Sequence, residues 1–281
     1  MALDADRLMH LDIPSRSVHY SDRDVMLYAL AVGAGAQGGA SDLDLVYEEN
    51  LKVVPSFANS LAFDDSWFPS GGVELSHVVH GSLDLTFHGP LAAAGATQIG
   101  TSIAGLVDKG DGRGGIIVQE TSIEQAGQKI CKSISNLFVR GGGGFGGSVG
   151  TQPPSVKLPD LPPDVVTIVP TTRSQASLFR LLGDRNPLHI DPAAARQSGF
   201  DRPILHGACT FGIGCLTVVR SFCGGDPARL KRLAARFAGP LFPGQALQFS
   251  FWHDDEGVLF RAVAADSGAA VLDGGLARIT A

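Results

Sequence analysis

Two stretches of the chain, "LTFHGPLAAAGATQIGTSI" at residues 85–103 and "ARFAGPLFPGQALQFSFW" at residues 235–252, share Phe-x-Gly-Pro-Leu. In each, a glycine follows three or four positions later, and then residues alternate as in a strand. Phe87 and Phe237 stand 150 positions apart in a chain of 281 residues. Upstream, "MLYALAVGAG" (26–35) resembles "SLFRLLGDRN" (177–186) at about the same interval, with Tyr28 matching Phe179 and Leu30 matching Leu181. Self-similarity at half the chain length means one structural unit written twice. Between the copies, "RGGGGFGGSVGTQPPSVKLPDLPPD" (140–164) has the Gly-then-Pro composition of a linker. The expected division is a domain over 1–140, a linker over 141–164 and a second domain over 165–281.

Each half reads as α+β. "RSQASLFRLLG" (173–183) has apolar residues at helical spacing and Gly183 as its stop. "LHGACTFGIGCLTVVRSF" (205–222) is apolar nearly all round, which predicts a buried helix. "LQFSFWHD" and "VLFRAVAAD" alternate as strands do. The same order of turns, longer helix and strands is expected in the first half. A buried helix followed by antiparallel strands suggests a sheet wrapped around it, the hot-dog arrangement. Two copies would then join their sheets into a tandem, or double, hot-dog.

The bulk composition sets limits. Hydrophobic residues make up 44% and charged residues 18%, enough for a folded core. A net charge of -6 argues against nucleic acid as the main partner. No apolar run approaches the ~20 residues needed to span a bilayer, and the start "MALDADRLMHLDIPSR" has no signal-peptide pattern. Cys131, Cys209, Cys215 and Cys223 match no metal or disulfide spacing, so buried free thiols in a reducing cytoplasm are expected. The final "RITA" is not a peroxisomal tripeptide of the S-K-L type. Two Gly-rich runs are set aside. "GAGAQG" (33–38) follows a helical stretch rather than a strand, so it is not read as a dinucleotide loop, and "GGGGFGG" (141–147) lacks the Lys-Ser/Thr of a Walker loop.

The chemistry concentrates in "GDRNPLHIDP" (183–192). Two prolines this close exclude a continuous helix. On a regular helix, residues five apart diverge by ~140°, whereas a turn lets Asp184 and His189 converge. Asp191-Pro192 then reads as the cap and first residue of a helix ending at Gly199. A carboxylate and an imidazole around one water can take a proton from it and supply one to a substrate. Gly207, near the start of the apolar helix, offers an unscreened amide where a developing enolate oxygen would be stabilised. On the loop alone, a helix stop with ordinary turn duties remains open.

"GDRNPLHIDPAAA" together with "PILHGACTFG" resembles the MaoC-like (R)-specific 2-enoyl-CoA hydratases, hydratase 2, in their double hot-dog form. The resemblance covers nearly the whole chain. It implies reversible hydration of a trans-2-enoyl-CoA to a (3R)-3-hydroxyacyl-CoA in fatty-acyl metabolism, by a hydro-lyase that needs no cofactor and no metal. It assigns Asp184 and His189 as the water-activating pair, Asn186 as the supporting amide and Gly207 as the donor to the thioester oxygen. It further implies substrate contacts at His80, Gly81, Lys109, Arg185, Pro187, Leu188 and Phe237, and a homodimer. A cytoplasmic location is expected from the cysteines and the absence of targeting signals, and a bacterial source from the enrichment in Ala, Gly and Arg. The first half departs from the pattern. Where the second has D-x-N-P-x-H it has "VGAGAQGGASD" (32–42), so that copy is expected to be silent and free to house a longer acyl chain. Alternatives are dehydration of a carrier-protein thioester, thioester hydrolysis, and acyl-CoA binding without catalysis. Carrier-protein substrates, release of free CoA, or a complete lack of hydration would respectively distinguish them.

Overall fold

In the computed structural model, which describes residues 2–35, 42–153 and 156–280, eleven strands form one continuous sheet. In the first half, α1 (Ala5–Met9) precedes β1 (Arg16–Tyr20), and α2 (Asp22–Ala31), α3 (Leu43–Val46) and α4 (Phe57–Ala62) follow. Then come β2 (Val78–Phe87), β3 (Gly95–Asp108), β4 (Gly114–Gln125), β5 (Gln128–Arg140) and the short β6 (Val149–Gly150). The second half runs β7 (Val165–Val169), α5 (Gln175–Phe179), α6 (Pro192–Gln197), α7 (Gly207–Phe222), β8 (Leu230–Phe237), β9 (Leu247–Asp254), β10 (Gly257–Ala264) and β11 (Ala270–Ile279).

The strand order is β1-β3-β4-β5-β2-β8-β11-β10-β9-β7, with β6 on β3. Read from either edge inward, the two halves have the same order, so the internal repeat is a repeat of topology. They meet at an antiparallel seam, where Ser82 pairs with Arg236 and Thr86 with Arg232. Asp84 accepts two bonds from Arg232 across the seam, at 2.9 and 2.6 Å. The shared Phe-x-Gly-Pro-Leu ends β2 at Phe87 and β8 at Phe237, so its two copies lie at opposite ends of the seam. Tyr28 of α2 and Phe179 of α5, matched in the repeat, meet with ring centres 6.0 Å apart, while the other matched pair, Leu30 and Leu181, faces solvent. This is the double hot-dog.

The helix at the centre is α7. Eleven consecutive residues, Cys209 to Val219, are buried. Its Phe211 shares a core with Phe249, Phe251 and Phe260 that extends into α2, α4 and β2. Removing such side chains from water at about 25 cal/mol per Å² is the main term holding the halves together. Gly212 permits close approach, since a Cβ there would lie 2.5 Å from Val32 and 2.7 Å from the Tyr28 hydroxyl. All four cysteines are free and buried. Burial pushes the thiols of Cys131 and Cys215 up to about 12, out of the reactive range.

One expectation is corrected. Among the described residues, the first half has no helix as long as α7. Its equivalent of α7 is α4, which begins 150 positions before Gly207 and lasts six residues. "FANSLA" carries two polar residues in the middle, and the following "FDDSWFPSGG" supplies acids, Pro and Gly that end it. The Gly-rich part of the segment between the halves is tied down by hydrogen bonds. Asp108 accepts backbone bonds from Gly110, Gly144, Gly146 and Gly147 at 2.7–3.1 Å, and β6 pairs with β3. Gly143 fits only as glycine, because a Cβ would lie 2.3 Å from two carbonyl oxygens. No described helix is long and apolar enough to cross a membrane.

Candidate active site

The site is built on the turn between α5 and α6. A 3-10 turn over Arg180–Leu182 ends at Gly183, whose φ of +124° is a left-handed value that favours glycine. The chain then reverses through two side-chain-to-backbone bonds. The Asp184 carboxylate accepts from the Asn186 amide at 3.1 Å, and the Asn186 side chain accepts from the Leu188 amide at 3.0 Å. Asn186 thereby caps a second 3-10 turn, Pro187–His189, with Pro187 at its first position. Asp191 caps α6 by accepting from the Ala193 amide at 2.8 Å. The two prolines that forbid a continuous helix are each used at a helix start.

This turn points His189 inward. One carboxylate oxygen of Asp184 and one ring nitrogen from each of His189 and His206 lie within 4.8 Å of one another. His189 is buried, and its Nδ1 donates to the Ile204 carbonyl at 2.9 Å. That fixes the tautomer and leaves Nε2 as an acceptor. Burial holds the His189 pKa below the usual imidazole value, opposed by the Ile204 bond and the Asp184 charge. The ring is therefore neutral at neutral pH and can accept a proton.

His206 is the third member of the cluster. It is buried, stacks on His189 with ring centres 3.8 Å apart, and donates from Nε2 to the Asp184 carbonyl at 3.2 Å. Burial and the adjacent His189 push its pKa down to about 3. It thus ties the acid loop, the imidazole and the start of α7 together. Its Nδ1 is buried without a partner, as is Nε of Arg180 nearby. Gly207 opens α7, and its amide has no acceptor within the helix. A Cβ at Gly207 would sit 3.2 Å from the Phe237 ring, so the bare backbone is what leaves the approach open.

The first half supplies His80 from across the seam. Its ring lies 5.3 Å from that of Phe237, and its Nε2 shares a hydrogen bond with the Ser135 hydroxyl. Burial pushes its pKa down to about 4, while the Asp184 charge acts to raise it. Gly81 is the extra residue of a bulge in β2 between His80 and Ser82. A Cβ there would lie 3.0 Å from the Asn136 carbonyl, so Gly81 turns the backbone that aims His80.

Other predicted contacts lie outside this cluster. Arg185 and Pro187 are exposed, Leu188 is half-buried, and Lys109 is exposed on the β3–β4 turn without an ion pair to the cluster. Of the run 32–42, residues 36–41 fall outside the described residues, while Gly33 and Gly35 follow the end of α2. A cavity of about 270 Å³ lies at the other end of the seam, lined by Val53, Pro55, Ala58, Phe87 and Leu230. Around the cluster, Asp184, Gly207 and Phe237 are half-buried rather than buried.

This architecture is shared. Residues 18–141 match the family described as the MFE-2 hydratase 2 N-terminal domain, and residues 155–272 match the MaoC like domain. The 3-hydroxyacyl-thioester dehydratase Y of Mycobacterium tuberculosis is 37% identical over 266 residues, which cover 92% of this chain and 90% of that one. The chain belongs to the MaoC-like hydratase 2 family. A probable enoyl-CoA hydratase 2 of Dictyostelium discoideum is 33% identical to this MaoC-like chain, over 99% of it and 97% of the relative. The crystal structure of a MaoC-like dehydratase from Phytophthora capsici superposes with a TM-score of 0.88 at 31% identity, covering 99% of this chain and 98% of that one.

Proposed function

We infer that this MaoC-like chain is a hydro-lyase. It adds water reversibly across the 2,3 double bond of a trans-2-enoyl-CoA to give a (3R)-3-hydroxyacyl-CoA in fatty-acid metabolism. The observation that carries this reading is the convergence of the Asp184 carboxylate and the His189 ring beside the free first-turn amide of Gly207.

The chemistry follows from these groups. The Gly207 amide and the positive end of α7 receive the thioester oxygen. Electron density drawn to that oxygen makes C3 electrophilic and lets C2 take a proton. Water held between Asp184 and His189 gives a proton to the pair as its oxygen bonds to C3, and the pair returns a proton to C2. Hydrogen and hydroxyl are both accounted for by one water, so the proposed cycle involves no cofactor and no metal. Asn186 supports by holding the turn, and His80, Gly81 and Phe237 border the substrate. Arg185, Pro187, Leu188 and Lys109 are assigned to the outer contacts with the thioester's carrier.

The first half is read as silent, its short α4 leaving room for a longer acyl chain. Pairing of two copies and a cytoplasmic location complete the proposal, with light scattering as the check on the first. Following the enoyl-thioester absorbance of crotonyl-CoA, with chiral analysis of the product, tests the function itself. Release of free CoA, or no reaction at any chain length, would replace this reading with a thioesterase or a binder.

A further inference from the structure

The inward face of the first-half sheet carries a polar band where a core would be expected. In register across β3, β4 and β5, Thr101 lies opposite Thr121, and Thr121 opposite Ser133. In the next row Gln119 lies opposite Ser135. On one side of the band, Ile99, Ile123 and Cys131 belong to the main core. On the other, Leu106, Ile117 and Leu137 belong to a second cluster with Trp67 and Leu8. Thr121, Ser133 and Ser135 are 2%, 4% and 6% exposed, so these are not surface hydroxyls. Five neighbouring polar residues on a buried face are costly unless they are partnered.

The partnering is incomplete and directional. Trp67 Nε1 donates to the Gln119 carbonyl at 3.1 Å, Gln119 donates to the Thr121 hydroxyl at 3.3 Å, and Thr121 meets the Thr101 hydroxyl at 3.3 Å. Ser135 bonds His80. The band therefore begins at the catalytic cleft and runs away from it. Gln119, in the middle of the sheet, stays half-buried.

We propose that this band is the subsite for the acyl tail, and that the tail it selects carries a hydroxyl or keto oxygen rather than being a plain hydrocarbon. This rests on the hydration reading above. Ser133 lies one inward step, roughly 7 Å, beyond Ser135 along β5, so the recognised oxygen sits well past the reacting carbons. Thr121 is already held by Gln119 and Thr101, whereas none of the described side-chain hydrogen bonds engages the hydroxyl of Ser133 opposite it, so an oxygen at that depth gives Ser133 a partner that a methylene chain does not.

The test compares kcat/KM for 10-hydroxy-trans-2-decenoyl-CoA with that for trans-2-decenoyl-CoA. The wild type is expected to favour the hydroxylated chain at least tenfold. Ser133→Ala and Thr121→Val should each bring the ratio toward one by lowering the value for the hydroxylated substrate. A wild-type ratio at or below one overturns the proposal without needing any variant, and so does a preference that survives both substitutions in folded protein. The latter is also the outcome if the carrier arm, not the acyl tail, lies along the band. Hydration of crotonyl-CoA by the wild type keeps the two readings apart. If it is absent, the hydratase reading falls. If it is present with a ratio of one, only the acyl subsite falls.

Discussion

The two ends of the seam are related by the internal repeat, and they have diverged in opposite ways. At one end Phe237 faces His80, and Gly207 opens a helix of sixteen residues beneath Asp184 and His189. At the other end Phe87 holds the place of Phe237, Leu230 that of His80 and Phe57 that of Gly207. The first end has polar groups and a bare amide. The second has apolar side chains, a bulky ring where the amide would be approached, and a six-residue helix. The same scaffold thus carries two different ends. One copy has the polar groups and a fully packed helix, and the other has neither.

The sharpest way to break this contrast is to disable the end with the polar groups. Asp184→Asn and His189→Ala should each lower crotonyl-CoA hydration by about 10²–10⁴-fold with the circular dichroism spectrum unchanged. A loss under tenfold in folded protein would remove the acid–base assignment. Next in size is the position where the halves differ most plainly. Gly207→Ala puts a methyl 3.2 Å from the Phe237 ring and over the amide, and about 10²-fold is expected to be lost from kcat. Its counterpart Phe57→Ala should instead cost stability, about 3–5 kcal/mol in urea unfolding, as for other buried aromatic side chains.

A third prediction uses the histidines gathered where the halves meet. His80, His189 and His206 all have folded-state pKa values below 6.5, His80 about 4 and His206 about 3. The unfolded chain binds protons near 6.5 that the folded chain refuses, so their stabilising contribution is fully present above that pH. It is lost as pH falls from 6.5 toward 3, by up to about 1.4 kcal/mol per pH unit for each ring still neutral. Urea midpoints measured between pH 7 and pH 4 should fall. His206→Phe, which keeps the stack without a titrating ring, should flatten that slope, and an unchanged slope would show that His206 titrates freely.

The smallest expected effect lies in the first half alone. Asp108→Asn weakens the four-amide clasp on the Gly-rich segment, so limited proteolysis between 141 and 150 should speed up while crotonyl-CoA hydration changes less than twofold.

Much of the site could be read from local chemistry. Pro187 and Asn186 specify the turn, Asp191-Pro192 the next helix, and Gly183 the left-handed stop, because each depends on φ restriction or a bond to a near neighbour. The role of His206 could not, since a ring stacked 3.8 Å from His189 is a contact between residues seventeen apart whose orientation depends on α7. Nor was the polar band visible. Its members come from three strands, and only the register, with a bulge between Ile103 and Gly105, places them side by side on the inward face.

From the order of residues alone come the duplication, the buried helix, and the turn carrying Asp184 and His189. These rest on hydrophobic period and backbone restriction, which act within a few residues. The folded chain alone decided that β2 would be the strand to meet β8, and that His80 would face Phe237 of the other half. Strand pairing and packing act between distant parts of the chain, where no short pattern can specify the partner.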